Sequence, residues 1–98
     1  MRLTVEEVRA IKRAATLTFG KDSVVRLYGS RAFDDRRGGD IDLHIETVEA
    51  VDILQKRADF LEHLFARLDY QRVDVIATQR GSQPRPIEAI AYRDGVIL

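Results

Sequence analysis

The sequence predicts a small α/β (α+β) domain, in which helices pack on one face of a mixed β-sheet and the other face is left open. Apolar residues recur at helical spacing in two long segments, which predicts helices. Other segments alternate between apolar and polar residues or are rich in β-formers, which predicts strands. The predicted helices and strands interleave along the chain. A chain of 98 residues has room for one domain, so we expect residues 1–98 to share one core.

A capping box predicts where the first helix begins. Thr4 can accept a hydrogen bond from the amide of Glu7, and the Glu7 side chain can return it. The apolar positions that follow predict a helix over residues 5–18, ending near Gly20. Its predicted core-facing stripe consists of Val5, Val8, Ile11, Ala15 and Leu17.

Two strands and a loop come next. Residues 24–28 are rich in β-formers and bounded by turn residues, which predicts a strand. Residues 31–39 are polar and rich in glycine at their end, so we expect a loop that opens with a short helical turn. Residues 40–46 alternate strictly between polar and apolar types, which predicts a second strand with one buried face.

The rest of the chain predicts a helix, a strand, a loop and a last helix. Residues 48–68 carry an amphipathic stripe that includes Val51, Leu54, Ala58, Leu61, Phe65 and Leu68. Residues 72–78 predict a third strand, and 79–86 a loop. A short helix ends at Gly95, and the tail at 96–98 either closes the core, which we favour, or forms an exposed contact patch.

Composition narrows the class of protein. The chain has no cysteine and two histidines, which excludes disulfides and makes a soft-metal site improbable. Sixteen basic residues balance sixteen acidic ones, so we expect no stable binding to nucleic acid. No apolar run is long enough to cross a membrane, and charged residues follow Met1 where a signal peptide would be apolar. We therefore expect a cytoplasmic protein.

Three aspartates carry the chemistry. Asp40 and Asp42 project from the same face of one strand, where aspartate is disfavoured and like charges repel. Asp74 adds a third carboxylate if its strand lies beside theirs. Such a cluster favours a bound Mg²⁺, which takes oxygen ligands and shares its shell with phosphates. His44 lies on the same face, and we expect it to be a supporting or solvent-exposed side chain rather than a proton shuttle.

A glycine turn precedes the aspartates. Gly29 allows close approach of a ligand, and the Ser30 hydroxyl with the turn amides can bind phosphate oxygens. Arg31 follows directly. Arg36 and Arg37 either reach phosphate or keep the loop soluble, and the sequence leaves these two uses open.

Together, Leu-Tyr-Gly-Ser-Arg at 27–31, Asp-Ile-Asp-Leu at 40–43 and Val-Asp-Val at 73–75 resemble the minimal nucleotidyltransferases of the DNA polymerase β superfamily. The resemblance implies a palm-like fold in which Asp40, Asp42 and Asp74 bind two Mg²⁺ ions. It implies that Gly29, Ser30 and Arg31 hold the phosphates of ATP. Relatives often have serine at the position of Gly39 and arginine at that of Phe33, which bears on nucleotide affinity.

The resemblance also implies a partner. Proteins of this kind accompany HEPN-domain toxins and transfer AMP to a toxin tyrosine, so we expect an antitoxin of a type VII-like pair, forming homo- or hetero-oligomers. Two alternatives stay open: a catalytically silent module that masks a HEPN partner, and a nucleotidyltransferase acting on a small molecule. Release of pyrophosphate from Mg-ATP when the partner is present would separate the enzyme from the silent module. Activity on a free aminoglycoside without a second protein would instead indicate a small-molecule substrate.

Overall fold

A four-stranded mixed β-sheet forms the centre of the protein, in a computed structural model that describes residues 1–33 and 39–98. Within these ranges, three α-helices and one short 3-10 helix complete an α+β fold, and no helix is long and apolar enough to cross a membrane. The elements are α1 Val5–Phe19, β1 Val24–Tyr28, the 3-10 helix Ser30–Ala32, β2 Ile41–Thr47, α2 Ile53–Phe65, β3 Val73–Gln79, α3 Pro86–Asp94 and β4 Val96–Ile97.

Helix α1 begins where the sequence predicts because Thr4 and Glu7 satisfy each other's backbone amides. The Glu7 amide donates to Thr4 Oγ1 at 3.0 Å, and the Thr4 amide donates to Glu7 Oε1 at 2.9 Å, which confirms the capping box. The predicted stripe is wrong at both ends, since Val5 and Leu17 are exposed. The buried positions of the helix are Ala10, Ile11, Ala14 and Ala15.

Helix α2 is shorter than the predicted 48–68 because Asp52 caps it. Asp52 Oδ1 accepts a hydrogen bond from the Leu54 amide at 3.1 Å, so the helix begins only after Asp52. Phe60 and Leu64 are fully buried, whereas Leu54 is 83% exposed. The predicted stripe is therefore wrong at Leu54 and Ala58, which are exposed. Its later members Leu61, Phe65 and Leu68 do pack against the core, beside the fully buried Phe60 and Leu64.

The strands run in the order β3-β2-β1-β4 across the sheet. Strand β1 pairs antiparallel with β2 and β4, while β2 and β3 are parallel and joined through α2. The prediction for β1 is confirmed, and β2 and β3 begin and end one residue later than predicted. The sequence did not predict β4. In the tail, only Leu98 packs against the core, so the prediction of core closure holds for that residue.

The two faces of the sheet are covered differently. One face is apolar and packs against α1 and α2 through Ile41, Leu43 and Ile45. Helix α3 lies on the opposite face, where Glu88 accepts a hydrogen bond from Thr78 and the Tyr92 ring lies 4.7 Å from the ring of His44. The prediction of helices on one face only is therefore wrong, because α3 supplies partners to the polar side chains in the middle of the other face.

Candidate functional site

Strands β2 and β3 place two carboxylates side by side near one end of the sheet. The strands pair in parallel with Asp42 opposite Asp74, and adjacent strands lie about 4.8 Å apart. Directly opposed residues project to the same face, so the two carboxylates share one surface. Asp40 comes directly before β2, and its side chain is 51% exposed. The register thus brings Asp74 beside Asp42, as the sequence led us to expect.

Asp42 is the carboxylate most affected by this arrangement. Burial raises the pKa of its carboxyl, and the negative charges of Asp74 and Asp40 raise it further. The guanidinium of Arg72 lowers the same pKa without cancelling the rise. Negative charge at this end of the sheet is therefore incompletely neutralised by the chain itself, and a cation beside Asp42 would be stabilised.

Arg72 supplies part of the missing positive charge. Its Nε lies 3.7 Å from Asp40 Oδ2 and 3.6 Å from Asp74 Oδ2. The Arg72 side chain is 71% exposed, so solvent screens both ion pairs and neither adds much stability. Across the part of the chain that the structure describes, no three His, Cys, Asp or Glu side chains form a group that could hold a metal ion as they stand.

The residues nevertheless suit a hard divalent cation. Mg²⁺ is usually held by one or two carboxylates, with water and phosphate oxygens completing its shell. Asp42 and Asp74 provide such a pair. Burial and then the charges of Asp74 and Asp40 raise the pKa of Asp42, and a bound cation would offset both effects. Arg72 is long and exposed, so its guanidinium can leave the carboxylates when another cation binds.

The backbone comes very close to Asp42 at Gly29, where β1 ends. Gly29 has φ of +74° and ψ of −157°, a region that is essentially restricted to glycine. A Cβ atom at this position would overlap Asp42 Oδ2 and lie 3.1 Å from Asp42 Cγ. The backbone angles therefore require glycine here, and any side chain at this position would also push the Asp42 carboxylate aside.

Tyr28 is a site residue that sequence reasoning missed. It lies opposite Asp42 in the antiparallel β1–β2 pair. Burial, followed by the charges of Asp42 and Asp74, raises the pKa of the Tyr28 phenol to about 12. The phenol therefore stays neutral at physiological pH and keeps its proton for a hydrogen bond. Tyr28 belongs to the motif at 27–31, but nothing in the sequence indicated its proximity to Asp42, which depends on the strand register.

Ser30 and Arg31 form the short 3-10 turn that follows β1. Ser30 is partly exposed, and its carbonyl accepts a hydrogen bond from the Arg2 guanidinium at 3.3 Å. The Arg31 guanidinium donates to the carbonyls of Arg2 at 3.3 Å and Gly39 at 2.9 Å, and lies 3.8 Å from Glu7 Oε2. Arg31 thus ties the loop to the start of α1, and its contact with phosphate stays a prediction.

A buried polar chain lies beside the carboxylates, under α3. Thr78 Oγ1 donates to Glu88 Oε1 at 2.7 Å and lies 2.8 Å from His44 Nε2. The hydroxyl proton is committed to Glu88, so His44 donates through Nε2, and its Nδ1 is buried with no partner. Burial, then the charge of Arg26, lowers the pKa of His44. His44 is therefore neutral and buried, and the alternative that it is solvent-exposed is wrong.

No protein-family model matches the chain, and no curated protein matches it significantly. The candidate site is therefore defined by its own geometry. Asp42 lies beside Asp74 and close to the Gly29 backbone. Asp40 and Asp74 each form an ion pair with Arg72. Arg36 and Arg37, for which two uses were considered, lie outside the residues that the structure describes.

Proposed function

We propose that this protein is a Mg²⁺-dependent nucleotidyltransferase that transfers AMP from ATP to a hydroxyl group of a partner protein. The observation that carries the proposal is the pairing of Asp42 with Asp74, with the Gly29 backbone packed against the Asp42 carboxylate. Paired carboxylates beside a glycine turn can hold a divalent cation next to phosphate oxygens. The resemblance of residues 27–31 and 40–43 to minimal nucleotidyltransferases supports the same reaction.

Each group has a defined task in that reaction. Mg²⁺ held by Asp40, Asp42 and Asp74 would neutralise phosphate charge and make the α-phosphorus easier to attack. The turn at Gly29 and Ser30 holds the β- and γ-phosphates with its amides and hydroxyl. Asp74 faces the acceptor hydroxyl and takes its proton. The acceptor oxygen bonds to the α-phosphorus, the bridging bond to the β-phosphate breaks, and pyrophosphate leaves.

The proposed acceptor is a tyrosine of a HEPN-domain toxin, for which the protein would be the antitoxin. This step comes from the resemblance. The exposure of the carboxylates supports it, since the side chains of Asp40 and Asp74 are 51% and 42% exposed and a side chain from another protein can reach them. Attachment of AMP would inactivate the toxin chemically, and the complex would also cover it.

Label transfer tests the proposal. The chain is purified with the protein encoded beside it and incubated with Mg²⁺ and ATP labelled on the α-phosphate. Asp42→Asn removes the charge while keeping the shape of the side chain, and Asp59→Asn makes the same change at an exposed position on α2. We expect label on the partner with wild type and Asp59→Asn, and none with Asp42→Asn. Transfer at the wild-type rate by Asp42→Asn would refute the metal assignment.

A catalytically silent masking protein is the second candidate, and the Arg72 contacts favour it. The guanidinium already bridges Asp40 and Asp74, so the chain itself offsets part of their negative charge with no metal ion. In that case the two proteins co-purify, the partner's activity is blocked, and no label moves. The same blocking by Asp42→Asn and by wild type would identify this second function.

A further inference from the structure

A cavity lies between α1 and the end of α2. Its volume is about 220 Å³, and it is lined by Glu6, Arg9, Ala10 and Arg13 of α1 and by Arg67, two residues after α2. Both helices pack on the apolar face of the sheet, so this cavity is on the other side of the sheet from Asp42 and Asp74. It is therefore separate from the candidate active site.

The charges around this cavity are unbalanced. Three of the lining residues are arginines, and the only acidic one is Glu6. Glu6, Arg9 and Arg13 are spaced by three and four residues, so α1 presents them on one side. Among the residues that the structure describes, Arg9, Arg13 and Arg67 make no side-chain hydrogen bond or ion pair. Elsewhere on the surface, arginines such as Arg80 and Arg93 are paired with carboxylates.

Arg13 is the clearest sign of an unmet partner. Its side chain is partly buried, and its Nη1 is shielded from solvent without any hydrogen-bond partner in the described chain. A charged donor that has lost its water and gained no acceptor is costly, and a bound ion is one of the ordinary explanations for such a group. Arg13 lines the cavity together with Arg9 and Arg67.

We propose that this cavity binds a small phosphate-type oxyanion, free or as the terminal phosphate of a small molecule. Guanidinium groups match phosphate oxygens with paired donors, and three of them can surround one tetrahedral anion. A volume of 220 Å³ equals that of about seven water molecules, which is enough for the anion and some water. The chain has no net charge, and the basic residues here line one cavity rather than a long stripe, which disfavours a nucleic-acid backbone.

Inorganic phosphate, in Mg²⁺-free buffer at low salt, is the probe. Calorimetry gives the affinity, and amide chemical shifts show whether the anion perturbs residues 6–13 and 67 or the turn at Gly29. Arg13→Gln removes the shielded donor and keeps most of the side chain. Lys12→Gln removes the same charge from an exposed neighbour that borders a different cavity. Glu6→Gln removes the opposing carboxylate.

We expect the phosphate to perturb α1 and Arg67, and Arg13→Gln to weaken binding about tenfold. Lys12→Gln should change the affinity less than about twofold, and Glu6→Gln should strengthen it. Phosphorylated and unphosphorylated forms of one small sugar separate a terminal phosphate from free phosphate. No binding, equal losses in Arg13→Gln and Lys12→Gln, or shifts confined to Gly29 and Ser30 would overturn the proposal. So would binding of an oligonucleotide that tightens with its length.

Discussion

Replacing Gly29 by alanine tests the contact between the turn and Asp42. The backbone angles of Gly29, φ +74° and ψ −157°, strain an alanine by about 1–3 kcal/mol. Overlap of the new methyl group with Asp42 Oδ2 adds about 1–3 kcal/mol. We therefore expect Gly29→Ala to lower the free energy of unfolding by about 2–6 kcal/mol, which lowers the Tm by roughly 10 °C or more in a domain of this size.

Gly20→Ala is the matched control, because Gly20 has similar backbone angles, φ 99° and ψ 162°, but nothing within 4 Å of an added Cβ. In Gly20→Ala only backbone strain should lower the free energy of unfolding, by about 1–3 kcal/mol. Urea unfolding gives both losses. Asp42→Ala removes the overlapping carboxylate. In a protein that carries Asp42→Ala, the loss caused by Gly29→Ala should therefore shrink to that of Gly20→Ala. Equal losses in the two glycine variants, with no coupling to Asp42, would refute the close contact.

Three further substitutions have expected outcomes. Asp42→Asn should raise the Tm in metal-free buffer at pH 7. The raised pKa of Asp42 means that the folded protein binds this proton more tightly than the unfolded chain does. The stability of the wild type therefore falls as the pH rises through that pKa, and asparagine avoids this loss. The gain should vanish below the ordinary pKa of 3.8, and a gain that is constant with pH would contradict this. Thr78→Val should cost about 2–4 kcal/mol in urea unfolding, since Glu88 and His44 lose their hydroxyl partner, while Thr78→Ser should keep most of the stability. Arg72→Gln should change stability by less than about 1 kcal/mol and tighten Mg²⁺ binding measured by calorimetry, because a competing cation is gone; weaker binding would show that Arg72 assists the metal instead.

Local signals predicted the elements of the fold and failed where packing chose between alternatives. The Thr4–Glu7 box and the alternation of residues 40–46 each depend on near neighbours in the sequence, so both could be identified before the structure. Leu54 falls on the predicted stripe of α2 but is exposed, because which positions of the helix are buried depends on contacts with residues distant in the sequence. Strand β4 is two residues long and forms only because β1 offers it an edge.

The same distinction holds at the candidate site. Asp40, Asp42 and Gly29 could be selected from their order along the chain, and the parallel register then places Asp74 beside Asp42. Arg72 and Tyr28 could not be selected, because their relation to the carboxylates depends on side-chain direction and strand pairing. The packing of α3 over His44 could not be predicted for a similar reason, since no pattern in the sequence of α3 shows that it lies on the polar face of the sheet.

Binding of Mn²⁺ in the presence of ATP, followed by electron paramagnetic resonance, tests most directly the claim that Asp42 and Asp74 hold a divalent cation beside a nucleotide. It needs no partner protein. Wild type and Asp59→Asn should bind Mn²⁺ with ATP equally, and Asp42→Asn should bind at least about tenfold more weakly, since it removes a charged ligand. Equal binding by all three proteins, or no binding by wild type, would contradict the claim.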